Sequence, residues 1–80
     1  MYYVYLIKSK KHFNKTYVGF TENLKERLSC HNRGGSVHTF KYKPWELVVC
    51  IAFADKSKAL EFEKYLKSQS GRLFAKKRFW

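Results

Sequence analysis

Runs of aromatic and β-branched residues mark the segments of the chain that are expected to form strands. Residues 2–7 and 16–20 are both rich in such residues, and the polar segment between them predicts an antiparallel hairpin. Residues 47–53 are almost entirely apolar, which is typical of a strand buried on both faces, so this segment is expected to be the central strand. Gly19 interrupts the second strand and indicates a bulge or a close approach of its backbone to another group.

Apolar residues at helical spacing predict a first helix at about residues 22–32. Thr21 is a favourable N-cap, Leu24 begins the stripe that is expected to pack inward, and a pair of glycines follows the segment. Arg27 and His31 are four residues apart, so they are expected to share one face of this helix beside its leucines.

Two further helices are predicted in the second half of the chain. One is expected to begin at Asp55 or Ser57 and to run to about residue 68, with Glu63 at the edge of its apolar stripe. That stripe consists of Ala59, Phe62 and Leu66. A short basic helix is expected at residues 72–78. Together the elements predict an α+β fold, a small three-stranded antiparallel sheet with helices packed on it.

The balance of charge changes the expected partner. The 80 residues include 17 Lys and Arg but only 6 Asp and Glu, which gives a net charge of +11. A hydrophobic fraction of 45% with 19% aromatic residues excludes a disordered basic tail, and the length favours one domain over residues 1–80. The charge favours nucleic acid as the partner, ahead of an anionic membrane, and no membrane association is expected. A solvated basic surface without a partner is the alternative.

The two cysteines, Cys30 and Cys50, are too few for the disulfide framework of a small secreted fold. We therefore expect both to be reduced thiols. The first residues of the chain lack the long apolar segment of a secretion signal. These features favour a cytoplasmic protein.

Several kinds of catalytic site are excluded because the sequence lacks the residues that they need. There is no glycine-rich phosphate loop followed by Lys and Ser or Thr, and Asp55 is the only aspartate that could orient a catalytic histidine. Glu61 and Glu63 are two residues apart on a predicted helix and therefore lie on different faces. One carboxylate would therefore have to hold a metal with almost no help from another. The remaining tyrosines, the Arg/His helix face and this carboxylate suit phosphodiester hydrolysis.

A paired motif on the first two predicted strands resembles the signature of the GIY-YIG nuclease superfamily. The motif consists of Tyr3-Val4-Tyr5 and Tyr17-Val18-Gly19. The resemblance continues over nearly the whole chain, through Thr21, Asn23-Leu24, Arg27-Leu28, His31-Asn32, Gly34, residues 44–48, Ala59, Glu63 and Lys67. Because these pieces occur in order, each on the expected strand or helix, the resemblance is specific.

The resemblance implies the GIY-YIG nuclease fold and an endonuclease that cleaves DNA phosphodiester bonds with a single divalent cation, Mg²⁺ or Mn²⁺. By position, Glu63 would bind the metal. Tyr17 or Tyr5 would act as general base or position the attacking water. Arg27 would contact the scissile phosphate, and His31 would assist nearby.

Basic residues toward the last predicted helix are candidates for contacts with the nucleic-acid backbone. They are Lys67, Arg72, Lys76 and Lys77. A solubilising basic tail is the alternative for the last of these. The superfamily includes DNA-repair nucleases and structure-specific junction nucleases, so the expected substrate is branched or damaged DNA. Eighty residues leave little surface for reading base sequence, so specificity is expected to come from DNA structure or from a protein partner.

Two features depart from the family pattern. Tyr3 stands in place of the first glycine of the signature, and residues 64–80 contain no asparagine, which many members carry after the metal-binding helix. The second departure favours an alternative function, that of a nucleic-acid-binding module that keeps the fold without efficient hydrolysis. If Glu63 does not bind a metal, its alternative role is structural, in an ordinary surface ion pair with Lys67, four residues later.

Overall fold

The computed structural model describes residues 1–80, which form three strands, three α-helices and one 3₁₀ turn. In chain order these elements are β1 (Tyr2–Ser9), β2 (Thr16–Thr21), α1 (Leu24–Arg33), the 3₁₀ turn (Phe40–Tyr42), β3 (Trp45–Phe53), α2 (Lys56–Leu66) and α3 (Gln69–Arg78). The three strands form one antiparallel sheet on which the helices pack, so the predicted α+β fold is confirmed.

The strand order is β2-β1-β3, which places β1 at the centre of the sheet. The expectation that residues 47–53 form the central strand is therefore wrong. Residues 4–7 of β1 are almost fully buried, whereas Leu47 and Val48 of β3 are 40% and 38% exposed. The apolar content of a segment does not distinguish a central strand from an edge strand of this sheet. The hairpin occupies one edge of β1, so the other edge of β1 is the place where β3 pairs.

Side chains alternate along β1, and different helices cover the two faces of the sheet. Val4 and Leu6 point toward α2 and α3, whose buried residues there are Ala59, Leu66 and Ala75. Tyr5 and Ile7 point to the opposite face and pack with Trp45 and the half-buried leucines of α1. Helix α1 therefore covers the face on which the Tyr5 ring lies.

Helix α1 is capped at both ends by the residues around it. Asn23 is the N-cap, because its Oδ1 accepts a hydrogen bond from the backbone N–H of Glu26 at 3.1 Å. The predicted Thr21 cap is wrong, since Thr21 is the last residue of β2 and its hydroxyl accepts from the backbone N–H of Asn23 instead. Gly34 ends the helix with φ of 80°, a left-handed conformation that glycine adopts without strain.

Helices α2 and α3 pack closely at their junction. Asp55, one of the two residues predicted to begin α2, is its N-cap, and Ser68 is the N-cap of α3, which begins before residue 72. At Gly71, a Cβ atom would lie 1.7 Å from the backbone oxygen of Tyr65, so only glycine permits this approach. The contact holds the basic helix α3 against α2. None of the helices has the length and apolar content needed to cross a membrane.

Candidate active site

The ring of Tyr5 lies against the backbone of β2 at Gly19, its cross-strand partner. A Cβ atom at Gly19 would lie 2.3 Å from the Cζ and Oη atoms of Tyr5. A larger residue would therefore displace the ring, and the close approach predicted as one of two explanations for Gly19 is confirmed. The β1–β2 pairs follow without a register shift, so the second explanation, a bulge, is excluded.

The hydroxyl of Tyr5 joins two side chains of α1. Arg27 Nε donates to Tyr5 Oη at 3.2 Å, and His31 Nε2 lies 2.7 Å from the same oxygen. Arg27 and His31 are one helical turn apart, so α1 presents both on the face that covers Tyr5, as their spacing predicts. Tyr5 and His31 are 1% and 0% exposed, so their shared hydrogen bond is shielded from water.

Burial sets the charge of this cluster. It raises the pKa of Tyr5, an effect that the hydrogen bond and charge of Arg27 oppose. Burial also lowers the pKa of His31 below 6.5, and the positive charge of Arg27 lowers it further. At neutral pH the cluster therefore contains a neutral phenol, a neutral imidazole and one guanidinium cation.

The second nitrogen of His31 is held by Thr39, a residue in the loop before β3. His31 Nδ1 lies 2.7 Å from Thr39 Oγ1, and Thr39 is itself fully buried. Trp45 Nε1 donates to the backbone oxygen of Thr39 at 2.9 Å and so holds the loop in place. A neutral imidazole has one N–H, so His31 donates at one nitrogen and accepts at the other. Thr39 thereby helps to decide whether Nε2 donates to Tyr5 or accepts from it.

Sequence reasoning missed Thr39. It lies in a polar loop whose residues show no helical or strand periodicity, and only the folded chain brings it to a histidine on a helix. Residue type gave no signal either, because the neighbouring His38, a more obvious candidate for a functional residue, is exposed, whereas Thr39 is the buried partner of His31.

Tyr17 lies beside this buried cluster but is only half buried. Its ring centroid is 5.2 Å from that of His31 and 6.4 Å from that of Tyr5. Its hydroxyl forms no hydrogen bond within the chain, in contrast to that of Tyr5. Of the two candidate catalytic tyrosines, Tyr17 is therefore the one that is accessible to a bound molecule.

Glu63 reaches the same region from α2. Its Oε2 atom lies 3.0 Å from Lys67 Nζ, and the Glu63 side chain is 20% exposed against 47% for Lys67. Lys67 Nζ also lies 5.7 Å from the centroid of the Tyr17 ring. The pKa of Tyr5, raised mainly by its burial, is raised further by the negative charge of Glu63, which places this carboxylate within electrostatic range of the buried cluster. The ion pair foreseen as the structural role of Glu63 is thus present.

The chain offers a metal ion few ligands. No three histidine, cysteine, aspartate or glutamate side chains lie close enough together to hold one. Mg²⁺ commonly binds through one or two carboxylates and completes its shell with water and substrate phosphate oxygens. A partly exposed carboxylate at Glu63, within electrostatic range of the Tyr5 cluster, fits that kind of site.

A groove continues from Tyr17 and Lys67 along α3. Its volume is about 540 Å³, and its walls include Arg72, Lys76 and Trp80. Three of the four basic residues predicted to contact nucleic acid therefore lie together. Lys77, the fourth, does not line the groove.

Sequence comparison relates the chain to proteins that carry a GIY-YIG catalytic domain. The sequence model of the family described as "GIY-YIG catalytic domain" matches residues 1–78, a range that contains all of the candidate active-site residues. The chain is 44% identical over 71 residues to the structure-specific endonuclease subunit SLX1 homolog of Drosophila mojavensis, covering 78% of this chain and 23% of that protein. It is 39% identical over 69 residues to structure-specific endonuclease subunit SLX1 of Podospora anserina, covering 79% and 20%.

One relative, from a bacterium, is similar to this chain over most of its own length. UPF0213 protein SH2523 of Staphylococcus haemolyticus is 37% identical over 70 residues, covering 86% of this chain and 83% of that protein. By contrast, the chain spans only about a fifth to a quarter of the length of the SLX1 proteins that it matches.

Proposed function

The chain belongs to the GIY-YIG family, and from this premise we propose that it is an endonuclease that hydrolyses DNA phosphodiester bonds with one divalent cation. The observation that carries the proposal is the buried Tyr5–Arg27–His31 network, which lies beside the accessible Tyr17 and the carboxylate of Glu63. The names of the SLX1 relatives support DNA cleavage guided by the structure of the substrate. Residues 1–80 form a single nuclease domain in this proposal.

Arg27 binds the scissile phosphate. Its Nε atom is held by Tyr5, and its two terminal NH₂ groups donate to no acceptor within the chain. They are therefore free to donate to two phosphate oxygens, a geometry that the planar guanidinium favours. Anchoring through Nε fixes the direction of these donors before the substrate binds, which reduces the reorganisation needed in the transition state.

Tyr17 orients the attacking water, or takes its proton when the phenol is ionised. As the water oxygen bonds to phosphorus, the bond from phosphorus to the leaving oxygen breaks. Tyr5 is a poorer candidate for this contact, because its hydroxyl is buried and held by two partners, and because burial raises its pKa. We assign Tyr5 and His31 two structural roles: they position Arg27, and their rings pack against Tyr17.

Glu63 would hold the cation, Mg²⁺ or Mn²⁺, which would supply positive charge to the phosphate and to the leaving oxygen. In the absence of substrate, Lys67 forms an ion pair with the Glu63 carboxylate. On substrate binding, Lys67 transfers from Glu63 to a phosphate oxygen, since a phosphate is the nearest new anion and the lysine side chain is long and half exposed. The two residues therefore exchange partners.

A second candidate function is a binding module that keeps the fold without efficient hydrolysis. The absence of asparagine from residues 64–80 favours it, because the cation then has one fewer polar group near Glu63. For either function, a protein partner that selects branched or damaged DNA in repair is consistent with the word "subunit" in the names of the SLX1 relatives.

The test is a cleavage assay with purified protein, Mg²⁺ or Mn²⁺, and supercoiled, branched and single-stranded DNA. We expect cutting of at least one substrate, and its loss in Glu63→Gln. Glu61→Gln is the matched control, because Glu61 lies on the same helix, is exposed and carries the same charge. Undiminished cutting by Glu63→Gln would contradict the mechanism. Salt-dependent binding without cutting in either metal would select the binding module.

A further inference from the structure

The groove beside Tyr17 has an apolar interior and a basic rim, and it adjoins the candidate active site. We propose that it binds an unpaired nucleotide of the substrate, with the base stacked on Trp80 and the phosphates held by Lys67, Arg72 and Lys76. This inference rests on the proposed function for its DNA ligand and names the class of substrate, a duplex that carries an unpaired strand next to the cut.

The walls of the groove suit a nucleobase. Its apolar and aromatic lining consists of Tyr17 and Val18 of β2 together with Leu66, Ala75 and Trp80. A volume of about 540 Å³ lies within the range of roughly 300–1,000 Å³ typical of pockets for small organic ligands. Every base has an apolar face that stacks on aromatic side chains, so this contact does not depend on sequence.

The charges around the groove suit the backbone of the same nucleotide. Lys67, Arg72 and Lys76 all line it, and no acidic residue does. All three are exposed, so their cationic ends are available to an anion. A partner that presents an apolar ring flanked by phosphates matches this combination, whereas an apolar peptide would leave the three cations uncompensated.

Continuity with the active site decides where the nucleotide lies. Tyr17 and Lys67 belong both to the groove and to the group around Glu63. A strand whose scissile phosphate lies at Arg27 and Tyr17 therefore has its neighbouring nucleotide at the groove. Inside a paired duplex both faces of that base are covered by its neighbours, so at an internal position only an unpaired nucleotide can place a base face on Trp80.

Binding is measured in EDTA, where no divalent cation is present and cleavage does not interfere. The ligands are a blunt DNA duplex, the same duplex with a short single-stranded overhang, and an overhang duplex whose first unpaired nucleotide is abasic. The readout is affinity together with tryptophan fluorescence. Trp45 is 3% exposed and Trp80 is partly buried at the groove, so quenching by a stacked base reports on Trp80.

We expect the overhang duplex to bind more tightly than the abasic one by at least about fivefold, the lower end for one base–aromatic stack. Quenching should occur with the overhang duplex alone and disappear in Trp80→Ala. Trp80 also packs against the core, so its removal affects folding. The abasic ligand tests the same contact with the wild-type protein and avoids that problem.

Lys76→Gln and Lys77→Gln form a matched pair on α3, since both remove one exposed charge and only Lys76 lines the groove. We expect Lys76→Gln to weaken overhang binding and to reduce the dependence of log affinity on log salt by about 0.7, the share of one phosphate contact on a single strand. Lys77→Gln should change overhang binding less than Lys76→Gln does.

The outcomes separate this inference from the proposed nuclease activity. Equal affinity for the overhang and abasic ligands, with no quenching, overturns the inference even if DNA is cut in the cleavage assay. Preference for the overhang together with quenching supports it even if no substrate is cut. Equal effects of the two lysine variants would also count against the groove, because they would indicate a diffuse basic surface.

Discussion

The two sides of the candidate site are built in opposite ways. On the β1–α1 side, Tyr5, His31 and Thr39 are almost fully buried and form one chain of hydrogen bonds. On the α2–α3 side, Glu63 and Lys67 form an exposed ion pair at the mouth of an open groove. The first arrangement fixes geometry and protonation before a ligand arrives. The second can exchange partners at little cost, as binding a charged substrate requires.

The largest expected effect comes from breaking the buried side at its closest contact. In Gly19→Ala the new Cβ would lie 2.3 Å from Tyr5, so the ring must move and the network with α1 must break. We expect a loss of about 1–3 kcal/mol in the free energy of unfolding, as for other overpacked cores. DNA cleavage should fall below detection. Urea denaturation and the plasmid assay measure the two effects.

Gly34→Ala is the control for that substitution. It forces a non-glycine residue into a left-handed conformation, at a cost of about 1–2 kcal/mol, at the end of α1 and away from the Tyr5 ring. Its cleavage activity should be largely retained when the protein is folded. Equal loss of activity in the two variants would show that stability alone, rather than the position of Tyr5, explains the effect.

A second substitution tests the inner end of the same network. Thr39→Val keeps the shape of the side chain but leaves His31 Nδ1 without its partner, and an unsatisfied buried polar group costs about 1–3 kcal/mol. Thr39→Ser restores an Oγ atom and should recover most of the stability. A serine variant as unstable as the valine variant would mean that packing of the methyl group, not the hydrogen bond, is what matters. Chemical denaturation distinguishes the two.

The contrast between the two sides also explains what could be read from the sequence. The i, i+4 spacing of Arg27 and His31 and the position of Glu63 at the edge of an apolar stripe are local patterns, and the fold respects them. Both follow from helix periodicity alone.

Long-range features could not be read in this way. Thr39 contacts His31 through a loop without periodicity, and the centre of the sheet is β1 although β3 is the most continuously apolar segment. Both are decided by how elements pair after they form. The roles of the site residues in catalysis stay predictions, since they depend on a ligand as well as on the fold.

The pH dependence of stability tests the buried side without truncating a contact. Burial and the Arg27 charge lower the pKa of His31 below 6.5, so as pH falls past that value the unfolded chain binds a proton that the folded chain does not. The free energy of unfolding should therefore be highest above pH 6.5 and decrease as the pH falls below it. His31→Gln should reduce this slope.

His38→Gln is the control for that experiment, because His38 is exposed in a loop and its side chain has no partner in the chain. If His31→Gln does not fold, NMR titration of the wild-type imidazoles gives the same information. A His31 resonance that titrates at or above pH 6.5 contradicts the prediction.

The smallest expected effect is on the open side. Lys67→Gln removes the ion pair with Glu63, and exposed pairs of this kind contribute about 0.2–1 kcal/mol. The free energy of unfolding should therefore change by less than about 1 kcal/mol, and by still less at high salt, where surface charges are screened. Lys64→Gln, on the same helix and without an ion pair, is the control in thermal or urea denaturation. A loss well above 1 kcal/mol in Lys67→Gln alone would mean that the pair is part of the rigid framework. The exchange of Lys67 from carboxylate to phosphate would then be too costly, and the difference between the two sides would not hold.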